Sequence, residues 1–281
     1  MFFIKAADGT RLAVYDLHPC GCRTAVLLHG WPLSHKMFEY QAGQLVRQGC
    51  RVVAMDMRGF GNSGAPAEGY SYNQMADDLY AVIAGLRLGS FVLAGFSMGG
   101  AVALRYMRRY GGYGVKKLIL LAAAAPYWTQ RPGFPYGLPD SQAAEIIRQA
   151  MTDRPMMAHE FVHKQLFACP HSEAVKDWFE RIACSASGIG TVEAVQAMRQ
   201  EEGMRDLQSV RAETVIIHGK KDTVVSSQLA AIQKQQIPGA RLYELERSGH
   251  GIVYDELEAF NRIFIKEVLG EGGQEKTLDY Y

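Results

Sequence analysis

The chain has 281 residues, 48% of them apolar, with 30 Lys and Arg against 29 Asp and Glu and a formal charge of +1. That length allows one large core or two small domains, and the balanced charge excludes partners held by bulk electrostatics, nucleic acid and anionic membrane surfaces included. No apolar run reaches the roughly 18 residues of a membrane-spanning helix, and the segment from Met1 to Asp16 lacks the basic-then-apolar layout of a secretory leader. A cytoplasmic protein is therefore expected. Its five cysteines, Cys20, Cys22, Cys50, Cys169 and Cys184, are odd in number and show no zinc-like spacing, which fits reduced thiols. Cys20-Gly21-Cys22 reads as two free thiols in a loop rather than a redox or metal pair.

In chain order, Phe2 to Lys5 and Leu12 to Leu17 flank Asp8-Gly9-Thr10, a hairpin with a D-G turn. Thr24 to Leu28 predicts a third strand running into His29-Gly30-Trp31-Pro32, followed by a helix from near Ser34 to Arg47, ended by Gly49. Arg51 to Met57 predicts the next strand, opening into the glycine-rich loop from Arg58 to Gly64. Met75, Leu79, Val82, Ile83 and Leu86 recur at helical spacing, with Gly89 as the stop. The apolar run Phe91-Val92-Leu93-Ala94 predicts a buried strand. It leads through Gly95-Phe96-Ser97-Met98-Gly99 into a helix carrying Ala101, Val102, Ala103, Leu104 and Met107, stopped by Gly111-Gly112. Val115 to Ala124 is another apolar strand. Strands that alternate with helices and are apolar throughout predict an α/β fold, a mostly parallel central sheet with helices on both faces.

That rhythm breaks at Pro126. Pro132, Pro135 and Pro139 follow in a loop that no helix or central strand accepts, and only helical periodicity is legible until about Arg205. Residues 126–205 therefore read as a helical cap insertion over the site, with residues 1–125 and 206–270 as the core and 271–281 as a polar C-terminal tail. The core resumes with a strand from Thr214 to His218, a helix from about Ser226 to Gln236, a strand from Arg241 to Leu245 and a last helix marked by Val253, Leu257, Phe260, Phe264 and Val268.

A strand, then G-x-S-x-G, then a helix is the setting of a nucleophile elbow. A Cβ at Gly95 or Gly99 would meet the opposite arm of so sharp a turn. Ser97 is pushed into the open at the carboxyl edge of the sheet, and the Met98 N–H points to the same spot at the positive end of a helix. A serine alcohol needs a base, and the base needs a third group to orient it. Asp222 and His250 follow Ser97 in the order nucleophile, acid, base, each in a loop directly after a predicted strand, and such loops converge on one crevice. Singly, Asp222 reads as a turn former and His250 as a helix-cap residue; jointly they read as catalytic. An acyl-transfer site also needs oxyanion donors. Met98 is one, and Trp31, in the loop after the third strand, is the candidate for the second; its ring also reads as plain pocket wall.

The segments HGWPLS (29–34), DMRGFGNSG (56–64), GFSMGGA (95–101), IIHGKKD (216–222) and SGHG (248–251), in this order and spacing, resemble the α/β-hydrolase fold family. Within it they most resemble the cofactor-free haloperoxidase and aryl-esterase group. The resemblance spans about Phe2 to Leu269 and is weakest between Pro126 and Arg205. It implies Ser97, Asp222 and His250 as a triad, Trp31 and Met98 as oxyanion hole, and no cofactor. Two positions depart from that group: Ala101, where a third glycine is common, and Lys220-Lys221, where acidic or small residues are usual.

Other signals carry less chemistry. His159-Glu160-Phe161-Val162-His163 matches H-E-x-x-H, in which histidines at i and i+4 share a metal, but Leu166 and Cys169 replace the glycine and histidine of the extended pattern. A polar helix face is the reading kept, and no metal is expected. Asp56 and Arg58 read as ties of the glycine loop, and Tyr127 and Trp128 as pocket lining or packing at the root of the insertion. The expected activity is hydrolysis of small carboxylic esters by an acyl-enzyme route. Perhydrolysis and C–C, thioester or amide hydrolysis are the alternatives within enzymes, and a ligand receptor retaining the triad is the alternative outside them. The sequence leaves the oligomeric state open, a homo-oligomer included.

Overall fold

The computed structural model describes residues 1–270; the polar tail predicted at 271–281 lies outside the described residues. The strands β1 (Phe2–Lys5), β2 (Arg11–Leu17), β3 (Arg23–Leu28), β4 (Cys50–Met55), β5 (Phe91–Phe96), β6 (Val115–Leu121), β7 (Glu213–Gly219) and β8 (Arg241–Leu245) form one sheet in the order β1-β2-β4-β3-β5-β6-β7-β8. The pairs β1–β2 and β2–β4 are antiparallel, and every other pair is parallel. The D-G turn of the first hairpin closes as predicted: Asp8 Oδ1 accepts the Thr10 N–H at 2.9 Å and Gly9 sits at φ +86°. The chain leaves β3 toward β4 on one side and β5 toward β6 on the other. The carboxyl ends of β3 and β5 therefore border a crevice where such folds bind ligands.

Helices cover both faces of this sheet. They are α1 (Glu39–Arg47), α2 (Tyr72–Gly85), α3 (Met98–Arg109), α4 (Asp140–Thr152), α5 (Arg154–Glu160), α6 (Glu173–Cys184), α7 (Gly188–Gln200), α8 (Met204–Ser209), α9 (Ser227–Gln236), α10 (Ile252–Asp255) and α11 (Leu257–Leu269). A turn of π-helix, Phe161–Leu166, continues α5. Burial on both faces explains why β5 and β7 read as continuous apolar runs. None of the described helices is long and apolar enough to cross a membrane.

Several predicted boundaries shift, among them the strand expected to reach Met57, which ends at Met55, and the helix expected from near Ser34, which opens as a 3-10 turn at His35–Phe38. The strand predicted to run to Ala124 stops at Leu121, because Ala122 turns to φ +43°. The next residues are held as a loop by Gln233, whose Nε2 donates to the carbonyls of Ala123 (2.9 Å) and Ala125 (2.8 Å). The helix stop expected at Gly89 comes earlier: α2 ends at Gly85, and Arg87 takes the left-handed conformation at φ +53°. The last periodic run is two helices, α10 and α11, interrupted at Glu256.

Between β6 and β7 the described chain contains helices and irregular segments, with two isolated bridges near Thr129 and Arg131. α4 packs on α5 and α7, and α5 packs on α6; α8 instead packs on α3 and α9, which belong to the layers beside the sheet. The join is polar and buried. Arg105 of α3, 6% exposed, donates to Asp206 of α8 (2.8 Å), Glu201 (3.0 Å), the Glu202 carbonyl (2.8 Å) and Asn73 of α2 (2.8 Å). Removing one member of such a network strands the others without partners. Arg105→Ala is therefore expected to lower folding stability by about 3–5 kcal/mol, read from denaturant midpoints; a loss under about 1 kcal/mol would show that the network contributes little.

Candidate active site

Ser97 lies between β5 and α3 at φ +53°, ψ −119°, a conformation costing about 1–3 kcal/mol that persists only where its surroundings impose it. They do so here by hydrogen bonds and by contact. The Ser97 N–H donates to the Leu121 carbonyl at the end of β6 (2.8 Å), and its carbonyl accepts from Gly100 (2.9 Å) and Ala124 (3.1 Å). A Cβ on Gly95 would lie 2.4 Å from the Gly99 carbonyl oxygen, which is the opposite arm of the turn, as expected. A Cβ on Gly99 would instead lie 2.4 Å from the His29 carbonyl oxygen and 2.7 Å from that of Leu28. Gly99 thus meets the exit of β3, not the turn itself, and its absent side chain is what lets the loop after β3 lie against the elbow.

The loops after β7 and β8 bring Asp222 and His250 to this point. His250 Nε2 is 3.0 Å from Ser97 Oγ, and His250 Nδ1 is 2.8 Å from Asp222 Oδ2. All three side chains are buried. With Nδ1–H donating to the carboxylate, the Nε2 lone pair faces the serine hydroxyl. Asp222 is itself held: Oδ1 accepts the N–H groups of Val224 and Val225, both at 2.8 Å.

Two residues that the sequence did not single out build the frame around it. His218 is buried, donates from Nε2 to the Val225 carbonyl (2.9 Å) and lies 3.5 Å from Asp222 Oδ2. Burial depresses its pKa. Asp255, beyond His250, accepts the N–H groups of Gly249 (2.6 Å), Ala168 (2.9 Å) and Cys169 (3.1 Å), and His171 Nε2 lies 2.9 Å away. It fixes the histidine turn to the chain that follows the π-helix. Their partners are distant in sequence, so no local pattern announces either residue.

Trp31 is buried at the end of β3, with its indole N–H donating to the Thr191 carbonyl of α7 at 2.9 Å. The backbone N–H groups of Trp31 and Met98 have no hydrogen-bond partner among the described residues. A cavity of about 520 Å³, counted with its open mouth, lies over Ser97. Trp31, Ser97, Val224 and His250 form its floor; Trp128, Ile146, Met157, Phe161 and Met198 form an apolar roof, with Gln149, Glu160 and Gln165 as polar points in it. Trp128 thus lines the cavity, but Tyr127 does not. Tyr127 packs on Phe134 and Arg131 and turns its hydroxyl toward Glu202 at 3.4 Å, at the root of the helical segment.

Asp56 and Arg58 form ties. Asp56 accepts from the Asn62 N–H (2.8 Å) and the His35 N–H (2.9 Å), and Arg58 grips Asp78 (2.6 and 2.7 Å) and Asp8 (2.9 Å). Lys220, one of the two atypical lysines, pairs on the surface with Glu246 at 2.6 Å and does not face the cavity. His159 and His163 stack, and both contact Glu180 of α6, a residue the linear pattern does not include.

The family model described as alpha/beta hydrolase fold matches residues 26–257. The chain belongs to the α/β-hydrolase fold family. Among its relatives in that family is an AB hydrolase superfamily protein, YisY, of Bacillus subtilis (strain 168). It is 42% identical over 261 residues, covering 93% of this chain and 96% of that protein. The solved structure of an esterase from Exiguobacterium antarcticum superposes with a TM-score of 0.93 at 41% identity, covering 96% of this chain and 99% of that one. A non-heme chloroperoxidase of Kitasatospora aureofaciens is 31% identical over 247 residues, covering 85% of this chain and 90% of that protein. The resemblance drawn from the motifs to α/β-hydrolases of the esterase and haloperoxidase kind therefore holds.

In this α/β-hydrolase the loop beside the elbow depends on a neutral histidine. His29 is fully buried; its Nδ1–H donates to the Gly30 carbonyl and its Nε2 accepts the Met57 N–H, both at 2.9 Å. Burial pulls its pKa from 6.5 down to about 4, against the opposing influence of Asp56. The unfolded chain takes up this proton below pH 6.5, the folded chain only near pH 4. His29 therefore contributes its full stability above pH 6.5 and loses it progressively as the pH falls to 4. The expected loss is about 3 kcal/mol, measured by denaturant unfolding across that window. His29→Gln, which does not titrate, should lose correspondingly less; parallel declines would show that His29 is not the group responsible.

Proposed function

We propose that this α/β-hydrolase is a serine carboxylesterase acting on small esters through an acyl-enzyme. The observation that carries the reading is the continuous chain Asp222 Oδ2–His250 Nδ1, His250 Nε2–Ser97 Oγ, at 2.8 and 3.0 Å. In the proposed sequence His250 Nε2 takes the Ser97 proton as Oγ attacks the ester carbonyl, and Asp222 holds the ring and stabilises the imidazolium. The oxyanion forms against the Trp31 and Met98 N–H groups, the latter at the positive end of α3. His250 then protonates the departing alcohol, the acyl group stays on Ser97, and water activated by the same histidine releases the acid. Helices α4 to α7 act as the cap. Their apolar side chains exclude water and, with so small a cavity, favour short acyl groups.

Ser97→Ala is expected to fold with an unchanged thermal midpoint and to lose at least about 10³ in kcat for p-nitrophenyl acetate, because no other group can form the acyl-enzyme. A fluorophosphonate probe should label the wild type at Ser97 and leave the variant unlabelled. Retention of most of the activity by the variant would remove the triad.

A second reading, perhydrolysis at the same centre, is favoured by the 31% identity to a non-heme chloroperoxidase. Hydrogen peroxide attacks the acyl-Ser97 carbonyl in place of water; Ser97 leaves with the proton, and a peracid is released that oxidises halide in solution. Bromination of monochlorodimedone by bromide and peroxide should require acetate and vanish in Ser97→Ala. Bromination that is absent, or that survives without Ser97, leaves the esterase reading alone.

A further inference from the structure

The side chains of His159, His163 and Glu180 meet on the helical segment between β6 and β7, outside the cavity lining. His159 lies in the last turn of α5, His163 lies in the π-helical turn, and Glu180 projects from α6. The two rings stack with centroids 4.1 Å apart, so His159 Nδ1 and His163 Nε2 converge on one carboxylate oxygen, Glu180 Oε2, at 2.9 and 3.1 Å. The three ligand atoms lie within 4.8 Å of one another, and all three residues are partly accessible to solvent. Atoms bound about 2.0–2.1 Å from a tetrahedral zinc ion sit roughly 3.4 Å apart. The two nitrogen-to-oxygen distances are thus a few tenths of an ångström shorter than those of a three-ligand site with a fourth position open to water.

We infer that His159, His163 and Glu180 bind a divalent transition-metal ion of the zinc type. Two imidazoles and one carboxylate select zinc, copper, nickel or cobalt over magnesium and calcium, which take oxygen ligands. Binding needs a lone pair on His163 Nε2, which puts the proton on Nδ1; Glu173 Oε2 lies 3.6 Å from that nitrogen, within ion-pair reach though beyond hydrogen-bond distance. A carboxylate behind a metal-bound histidine is the usual outer-shell arrangement. His159 keeps its proton on Nε2, in a side chain 44% exposed to water. The ion is not part of the Ser97 chemistry. It ties α5 and the π-helical turn to α6, and Glu160, the last residue of α5, and Phe161, the first of that turn, belong to the cavity roof. The ion would therefore brace the part of the roof that the sequence describes least.

The test is titration of the tag-free protein with Zn²⁺ alone, followed by calorimetry and thermal unfolding. The wild type should bind one equivalent, and at about a hundredfold excess over Kd its Tm should rise by roughly 5 °C and fall back on adding EDTA. Co²⁺ should give visible absorption bands from a four-coordinate site. His163→Gln and, separately, Glu180→Gln should each weaken Zn²⁺ binding by at least about 100-fold, more than the 10–100-fold typical of losing an outer-shell group. Because Glu180 is partly exposed, the second variant tests the site even if the first folds poorly. Cys20→Ser/Cys22→Ser should bind like the wild type. No binding at micromolar Zn²⁺, unweakened binding in both ligand variants, or loss of binding in the cysteine variant overturns the proposal.

Discussion

The site depends on one steric fact: the α-carbon of Gly99 lies so close to the carbonyls of Leu28 and His29 that no side chain fits between them. That contact sets the spacing of two loops that belong to different strands. The elbow after β5 carries Ser97 and the Met98 N–H, and the loop after β3 carries the Trp31 N–H. Their separation is a backbone-to-backbone contact, which varies far less than one mediated by side chains. The strained conformation of Ser97 persists because the end of β6 and the loop after it clamp the same turn from the other side, through Leu121 and Ala124.

Much of this was legible in the sequence. Strand, turn and helix periodicities placed Ser97, Asp222 and His250 each after a strand, and the parallel order of β5, β6, β7 and β8 puts those loops on one edge. What was not legible depends on partners far apart in the chain. His218 and Asp255 look like ordinary polar residues until Val225, Ala168 and Cys169 are brought to them. Glu180 completes no local motif, since it lies 17 residues after His163. Tyr127 and Trp128 are neighbours with opposite fates, and only the path of the loop after Pro126 separates them. The end of α2 shows the local limit: a glycine in the right place for a stop, Gly89, lost to Arg87 because the turn closes two residues earlier.

The helical segment differs in character from the core. Its helices present mixed faces, and at the cavity apolar roof residues alternate with Gln149, Glu160 and Gln165. Polar anchors tie it to the core, Arg105 to Glu201, the Trp31 indole to Thr191, and the Ser187 N–H to the Gly59 carbonyl at 2.8 Å, beside the ring contacts of Trp31 with Phe161 and of Tyr254 with Phe179. Polar anchors between buried surfaces fix register more than they add net stability, which suits a roof whose position relative to the floor decides what fits beneath it.

The Asp255 carboxylate bears on how such a molecule diversifies. It receives N–H groups from both sides of the division between helical segment and core, Ala168 and Cys169 on one, Gly249 on the other, and the Gly251 N–H donates back to Leu166. The roof is therefore not a removable module. Grafting a foreign segment between residues 126 and 205 would leave a buried carboxylate short of donors within five residues of His250, so recombination among relatives has to carry both sides of that seam together or repair the seam before the new roof can be of use.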